Sequence, residues 1–135
     1  MPQNDQAAAA PGKRILVVDD SSLVRLYCRD ALEQAGFEVE QAINGIEALE
    51  KVLAQSFDLV IVDVNMPRMD GFSFLRALRR SAPDVATLPA LVISTEAGEL
   101  DIDDARAAGA NFYLVKPVSQ ADLLCHAAVL TGAST

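Results

Sequence analysis

Four short stretches of the chain hold residues whose types could do chemistry: Asp19-Asp20, Asp63, Ser94-Thr95 and Lys116. Each follows or closes an apolar run. If those runs are neighbouring strands of one sheet, spaced roughly 5 Å apart, two or three carboxylates meet at one sheet edge. Carboxylates that close repel and need a compensating positive charge. A hard, oxygen-seeking cation supplies it, and Mg2+, held by few carboxylates plus waters, suits the set. Lys116 offers a second, compact positive charge for a phosphate oxygen, and Ser94 a hydroxyl donor. A carboxylate nucleophile, a metal, a fixed cation and a hydroxyl donor are the parts of phosphoryl transfer.

The elements that must position these residues follow from periodicity. Ile15–Val18, Leu59–Val64 and Ala90–Ser94 are short apolar runs of the kind that forms a strand buried on both faces. Phe37–Ala42 alternates like a strand, and Phe112–Val115 is a fifth. Between them lie helical patterns. Ser22 is expected as the cap of the first, whose apolar positions Val24, Cys28, Ala31, Leu32 and Ala35 precede a stop at Gly36. Asn44-Gly45 turns the chain into the second, with Leu49, Val52 and Leu53 facing inward. Phe72–Arg80, Ile102–Ala108 and Gln120–Leu130 complete the set. Strands alternating with helices predict an α/β fold with a parallel sheet covered on both faces. In such sheets ligands bind beyond the carboxyl ends of the strands, where the four stretches stand.

Composition sets the outer limits. The 135 residues are 51% hydrophobic and 22% charged, which fits one globular domain. The formal charge of −8 argues against nucleic acid or an anionic membrane as the main partner, since both reward a basic face. Cys28 and Cys125 make no disulfide framework and are expected as small buried apolar residues. No basic start with an apolar run marks a signal peptide, and no stretch approaches the ~20 apolar residues of a membrane span. A cytoplasmic domain over residues 13–131 is expected, with a disordered tail at 1–12 and a short tail at 132–135.

Five stretches taken together resemble a known family: Ile15-Leu16-Val17-Val18-Asp19-Asp20-Ser21, Asp63-Val64-Asn65-Met66-Pro67-Arg68-Met69-Asp70-Gly71, Leu91-Val92-Ile93-Ser94, Ala108-Gly109-Ala110 and Tyr113-Leu114-Val115-Lys116-Pro117. In this order and spacing they are similar to a response-regulator receiver domain of the CheY-like, stand-alone type. The resemblance implies a doubly wound, flavodoxin-like five-stranded parallel sheet in the order 2-1-3-4-5. It implies Asp63 as phosphoacceptor, Asp20 and Asp63 as Mg2+ ligands with the backbone carbonyl of Asn65, and Asp19 acting through water. Lys116 and Ser94 would bind the phosphoryl group. Tyr113 would be an aromatic switch turning inward with Ser94, and the Lys116-Pro117 bond would be cis.

The partners implied are a sensor histidine kinase or histidine phosphotransfer protein, and a downstream protein target reading helix 4, strand 5 and helix 5 of a monomer. The chain would not be a conventional enzyme, but would catalyse its own phosphorylation and dephosphorylation. The competing reading within the family is a phosphorelay intermediate that passes its phosphate to a histidine phosphotransfer protein. Outside it, a haloacid-dehalogenase-type phosphohydrolase would need Asp-x-Asp after strand 1, where Asp19-Asp20-Ser21-Ser22 stands. A dinucleotide-binding domain would need a glycine fingerprint there. The remaining polar residues read as structural: Asp70 as a helix cap, His126 as a surface or packing residue, and Arg76, Arg79 and Arg80 as a solvated helix face.

Overall fold

The computed structural model of the chain describes residues 12–66, 68–95 and 98–132. The expected tails therefore lie, apart from Gly12 and Gly132, outside the described residues, as does Pro67 of the second motif. Five strands appear: β1 (Arg14–Val18), β2 (Glu38–Ala42), β3 (Leu59–Asp63), β4 (Ala90–Ser94) and β5 (Phe112–Val115). All pairings are parallel, in the order β2-β1-β3-β4-β5. The expected fold class and strand order are both present. β3 and β4 are buried along their whole length and β1 in all but its first residue, whereas the edge strands β2 and β5 are not.

Because successive side chains on a strand point to opposite faces, each central strand feeds two cores. Leu16, Val18, Val60, Val62 and Val92 pack with Phe74, Leu75 and Leu78 on one face. Ile15, Val17, Leu59, Ile61, Leu91 and Ile93 pack with Cys28, Leu32, Leu123 and Ala127 on the other. The first face is covered by α2 (Gly45–Ala54), α3 (Gly71–Arg79) and α4 (Glu99–Ala108), the second by α1 (Ser22–Gln34) and α5 (Gln120–Thr131). Among the described residues no helix is long and apolar enough to cross a membrane.

Local chemistry sets the helix ends. Ser21, rather than Ser22, caps α1, its hydroxyl accepting from the Val24 N–H at 3.4 Å. Two adjacent serines offer the same cap chemistry, and only the backbone decides between them. Asn44 caps α2 and Asp70 caps α3, accepting from the N–H groups of Glu47 and Ser73, as expected for Asp70. α4 begins at Glu99, three residues before the expected start at Ile102. A helical turn at Pro83–Ala86, with proline in its first position, was not expected from periodicity.

Three side-chain expectations are corrected. Leu53 is 61% exposed because the buried face of α2 runs through Gly45, Ala48 and Val52, and Leu53 falls beside it at the last turn. Cys28 is buried, but Cys125 is exposed, since Leu123, Ala127 and Ala128 form the inner face of α5 and Cys125 lies on the other side. Arg79 is not part of a solvated face. Its guanidinium turns inward and donates to the carbonyls of Ala86, Leu88 and Gly109. His126 does pack, edge-on to the Phe112 ring with centroids 5.1 Å apart.

Candidate functional site

The strand register brings the chemical residues to one edge. Val18 pairs with Val62, so Asp19, the next residue, is level with Asp63 at the end of β3. Asp63 pairs with Ile93, so Ser94 stands one rung further out on β4, paired with Val115. Lys116 leaves β5 beside it, its N–H donating to the Ser94 carbonyl at 2.7 Å. β5 lies two strands from β3, roughly 10 Å away, and the long lysine stem closes that gap. The Lys116 ammonium sits 3.2 Å from Asp19 Oδ2 and 3.3 Å from Asp63 Oδ1. The Lys116-Pro117 bond is cis, as expected.

Asp19 and Asp63 are almost fully buried and Asp20 is exposed, yet all three offer a carboxylate oxygen within 4.8 Å of the others. The electrostatics follow. Burial, and next the Asp19 charge, push the Asp63 carboxyl above its ordinary 3.8, although Lys116 and an N–H bond from the Asn65 backbone pull it down. Burial opposes the Lys116 charge, but Asp19 and Asp63 outweigh it and hold the ammonium above its ordinary 10.5. Three carboxylates thus meet here, Lys116 pairs with two of them, Asp19 and Asp63, and the Arg25 guanidinium on the Asp19 carbonyl is a further positive charge, so negative charge remains in surplus. Hard oxygen donors with surplus negative charge and one exposed member, Asp20, fit Mg2+.

Every polar atom of Asp19 is engaged. Its N–H donates to the Ala42 carbonyl at 3.1 Å, and its Oδ1 accepts from the Ser21 N–H at 2.9 Å. Its Oδ2 faces Lys116, and its carbonyl accepts from Arg25 Nη1 at 2.6 Å. The loop after Asp63 is pinned as well. Gly71 donates to the Val64 carbonyl, and a Cβ on Gly71 would collide with the Asp63 carbonyl oxygen, so only glycine fits there. Arg68 and Met69 carry φ values of 53° and 65°, a left-handed pair that no residue preference in this sequence announces.

The expected residues Asp19, Asp20, Asp63 and Lys116 therefore form one cluster, with Ser94 fully buried on the adjacent strand end. Asn65 lies two residues beyond Asp63. Tyr113 stands on β5, three residues before Lys116. It pairs with Val92, one rung inside Asp63, and is partly buried against the core beneath α2, α3 and α4. Sequence reasoning missed Arg25, because α1 is read through its apolar stripe and Arg25 stands outside it.

The response regulator receiver domain is the family that matches this chain, over residues 15–128. The chain is 40% identical, over 122 residues, to a gliding motility regulatory protein of Myxococcus xanthus, covering 90% of this chain and 16% of that protein. It is 39% identical over 126 residues to the transcriptional regulatory protein PrrA of Mycobacterium leprae, covering 93% of this chain and 52% of that one. The chain thus spans about half, or less, of the length of these curated relatives. Among solved structures it is similar to the chemotaxis response regulator CheY4 of Vibrio cholerae, with a TM-score of 0.83 at 38% identity, covering 88% of this chain and 98% of that one.

Proposed function

The chain belongs to the response-regulator receiver family of two-component signalling, and from that premise we propose that Asp63 accepts a phosphoryl group from the phosphohistidine of a sensor histidine kinase or histidine phosphotransfer protein. A carboxylate oxygen of Asp63 forms the new O–P bond as the P–N bond to the donor imidazole breaks. The electron pair of that bond returns to the imidazole nitrogen, which takes up a proton. The observation that carries this reading is the placement of Asp63 at a strand end, 3.3 Å from the Lys116 ammonium and beside two further carboxylates.

Asp20, Asp63 and the Asn65 backbone carbonyl would hold Mg2+, with Asp19 acting through water; when bound, the ion supplies positive charge opposite the transferring group. Lys116, already aimed at Asp63, exchanges its carboxylate contact for a phosphoryl oxygen. Ser94 donates a hydrogen bond to the same group, and Tyr113 turns inward as Ser94 is drawn over. The face formed by α4, β5 and α5 then changes shape, and a downstream protein reads it from a monomeric, cytoplasmic receiver. This is a two-state switch biased by local charge. Water later hydrolyses the acyl phosphate and returns Asp63 to its carboxylate.

The test is incubation of wild type and Asp63→Asn with acetyl phosphate and Mg2+. Acid-labile phosphate is expected on wild type alone, and equal labelling of both would overturn the assignment. Rapid transfer from labelled Asp63 back to a histidine phosphotransfer protein would place the chain as a relay intermediate.

A further inference from the structure

We infer that Arg25 is a positioning residue of the acidic pocket: from α1 it fixes the peptide joining Asp19 to Asp20, and so sets where the Asp20 carboxylate stands for a divalent cation. The inference rests on the metal-assisted reading above. Arg25 touches none of the carboxylates as an ion pair among the described residues; its Nη1 donates to the Asp19 carbonyl oxygen at 2.6 Å, and its Nε donates to Gln41 Oε1 at 3.0 Å. Both anchors are themselves held. Gln41 is on β2, and its carbonyl accepts from Lys51 Nζ at 2.6 Å. Asp19 is held through its N–H and both carboxylate oxygens.

A peptide unit is planar. Fixing the Asp19 carbonyl therefore fixes the direction of the following N–Cα bond, and with it the position of the Asp20 Cα from which the side chain departs. Asp20 is the exposed member of the cluster, without the burial that constrains Asp19 and Asp63. It has the most freedom to lose and gains most from an anchored backbone. A guanidinium can serve two oxygens in fixed directions at once, whereas an ammonium is a point charge on a flexible stem.

The sign of the effect separates positioning from simple charge. If Arg25 acted only as a positive charge beside the pocket, it would compete with a cation. Neutralising it would then tighten binding, and Arg25→Lys would behave as wild type. If it positions Asp20, both Arg25→Ala and Arg25→Lys weaken binding, because lysine keeps the charge but not the two-point bridge. Loss of an outer partner of this kind costs about tenfold in metal affinity. Gln41→Leu, which releases the other end of the guanidinium, weakens it in the same direction by a smaller factor. Combined with Arg25→Lys it adds nothing, since the two residues act as one unit.

The experiment is calorimetric titration of Mg2+ into the full chain without a phosphodonor, for wild type, Arg25→Lys, Arg25→Ala and Gln41→Leu, with melting temperatures taken in EDTA. Acetyl phosphate labelling across a Mg2+ series forms a second arm. The expected result for Arg25→Lys is affinity about tenfold weaker, a melting temperature within about 2 °C of wild type, and a raised half-saturating Mg2+ with an unchanged rate at saturation. Unchanged or tighter affinity overturns the inference. So does a loss that lowers the melting temperature and the saturated rate together, which marks a structural role. Should Arg25→Ala fail to fold, Arg25→Lys and Gln41→Leu decide. Failure of wild type to bind Mg2+ would remove the metal reading itself, an outcome distinct from a failure of Arg25.

Discussion

Two charge clusters sit at opposite edges of the sheet and solve opposite problems. At the carboxyl edge, the carboxylates of Asp19, Asp20 and Asp63 converge, and the Lys116 ammonium pairs with Asp19 and Asp63. At the amino edge, Arg79 has no carboxylate within ion-pair distance among the described residues. Its guanidinium is surrounded by neutral oxygens: Gly109 at 2.6 Å, Ala86 at 2.8 Å, Leu88 at 2.6 Å and the Asn111 side chain at 3.1 Å. Asn111 Oδ1 also accepts from the Ala90 N–H at 2.8 Å. The clamp thereby ties the end of α3 to the turn before β4, the end of α4 and the start of β5. Burial lowers the Arg79 pKa below its ordinary value, yet a cation met by dipoles from several directions needs nothing from outside the protein. The carboxyl edge holds charge that its own side chains leave unbalanced. One cluster is complete and holds the frame; the other is incomplete and can respond to an ion or a phosphoryl group.

The contrast can be broken by removing each cluster's central charge. Arg79→Met would leave the carbonyls of Ala86, Leu88 and Gly109 without their donor. It is expected to cost about 3 kcal/mol, equally with Mg2+ and with EDTA, read by urea unfolding. A cost that shrinks in Mg2+ would show that the two edges are not independent. Mg2+ itself is expected to stabilise wild type, by about 2.7 kcal/mol at a hundred times its dissociation constant, and Asp63→Asn far less. Gly109→Ala probes the clamp without touching its charge. Gly109 has φ of 117°, and an added Cβ would lie 2.7 Å from Arg79 Cγ, so a loss of about 2 kcal/mol is expected, again insensitive to Mg2+.

The two edges also differed in how far sequence alone could reach them. Asp19, Asp63, Ser94 and Lys116 are legible because each ends an apolar run, and run ends in a parallel sheet share one edge. Strand existence and burial were legible for the same reason: β1, β3 and β4 are apolar without alternation. Arg79 was not, because a charged residue at the end of an amphipathic helix has the same local pattern whether it faces water or the carbonyls of a distant turn. Those carbonyls belong to residues 86, 88 and 109, and backbone acceptors leave no trace in residue type. Arg25 escaped for the same reason, since its partner is the Asp19 carbonyl and not the Asp19 carboxylate. Leu53 shows the limit of helical spacing, since a residue one position off the stripe reads as apolar but lies on the solvent side, and Cys125 shows the limit of reading burial from residue type.

The smallest effect is also the one that tests the imbalance at the carboxyl edge most directly. Asp63 has its pKa raised in the fold, by burial first and by Asp19 second. Between the ordinary 3.8 and the raised value, the folded state therefore binds more protons than the unfolded one, and stability falls as pH rises. Above that window the ionised Asp63 is a standing burden on the fold; below 3.8 the burden is absent. Lys116 acts at the other end of the scale. Its pKa is raised above 10.5, so it contributes stability fully below that value and loses it as pH climbs through the raised one. Asp63→Asn is thus expected to stabilise the protein at neutral pH in EDTA, by about 1 kcal/mol, and to remove the acid-side slope from urea unfolding measured across pH. Mg2+ should flatten the same slope in wild type, because a bound cation favours the ionised carboxylate. Arg79→Met should leave the slope as it is. A wild-type slope that survives both Asp63→Asn and Mg2+ would mean that the carboxyl edge is as self-sufficient as the clamp.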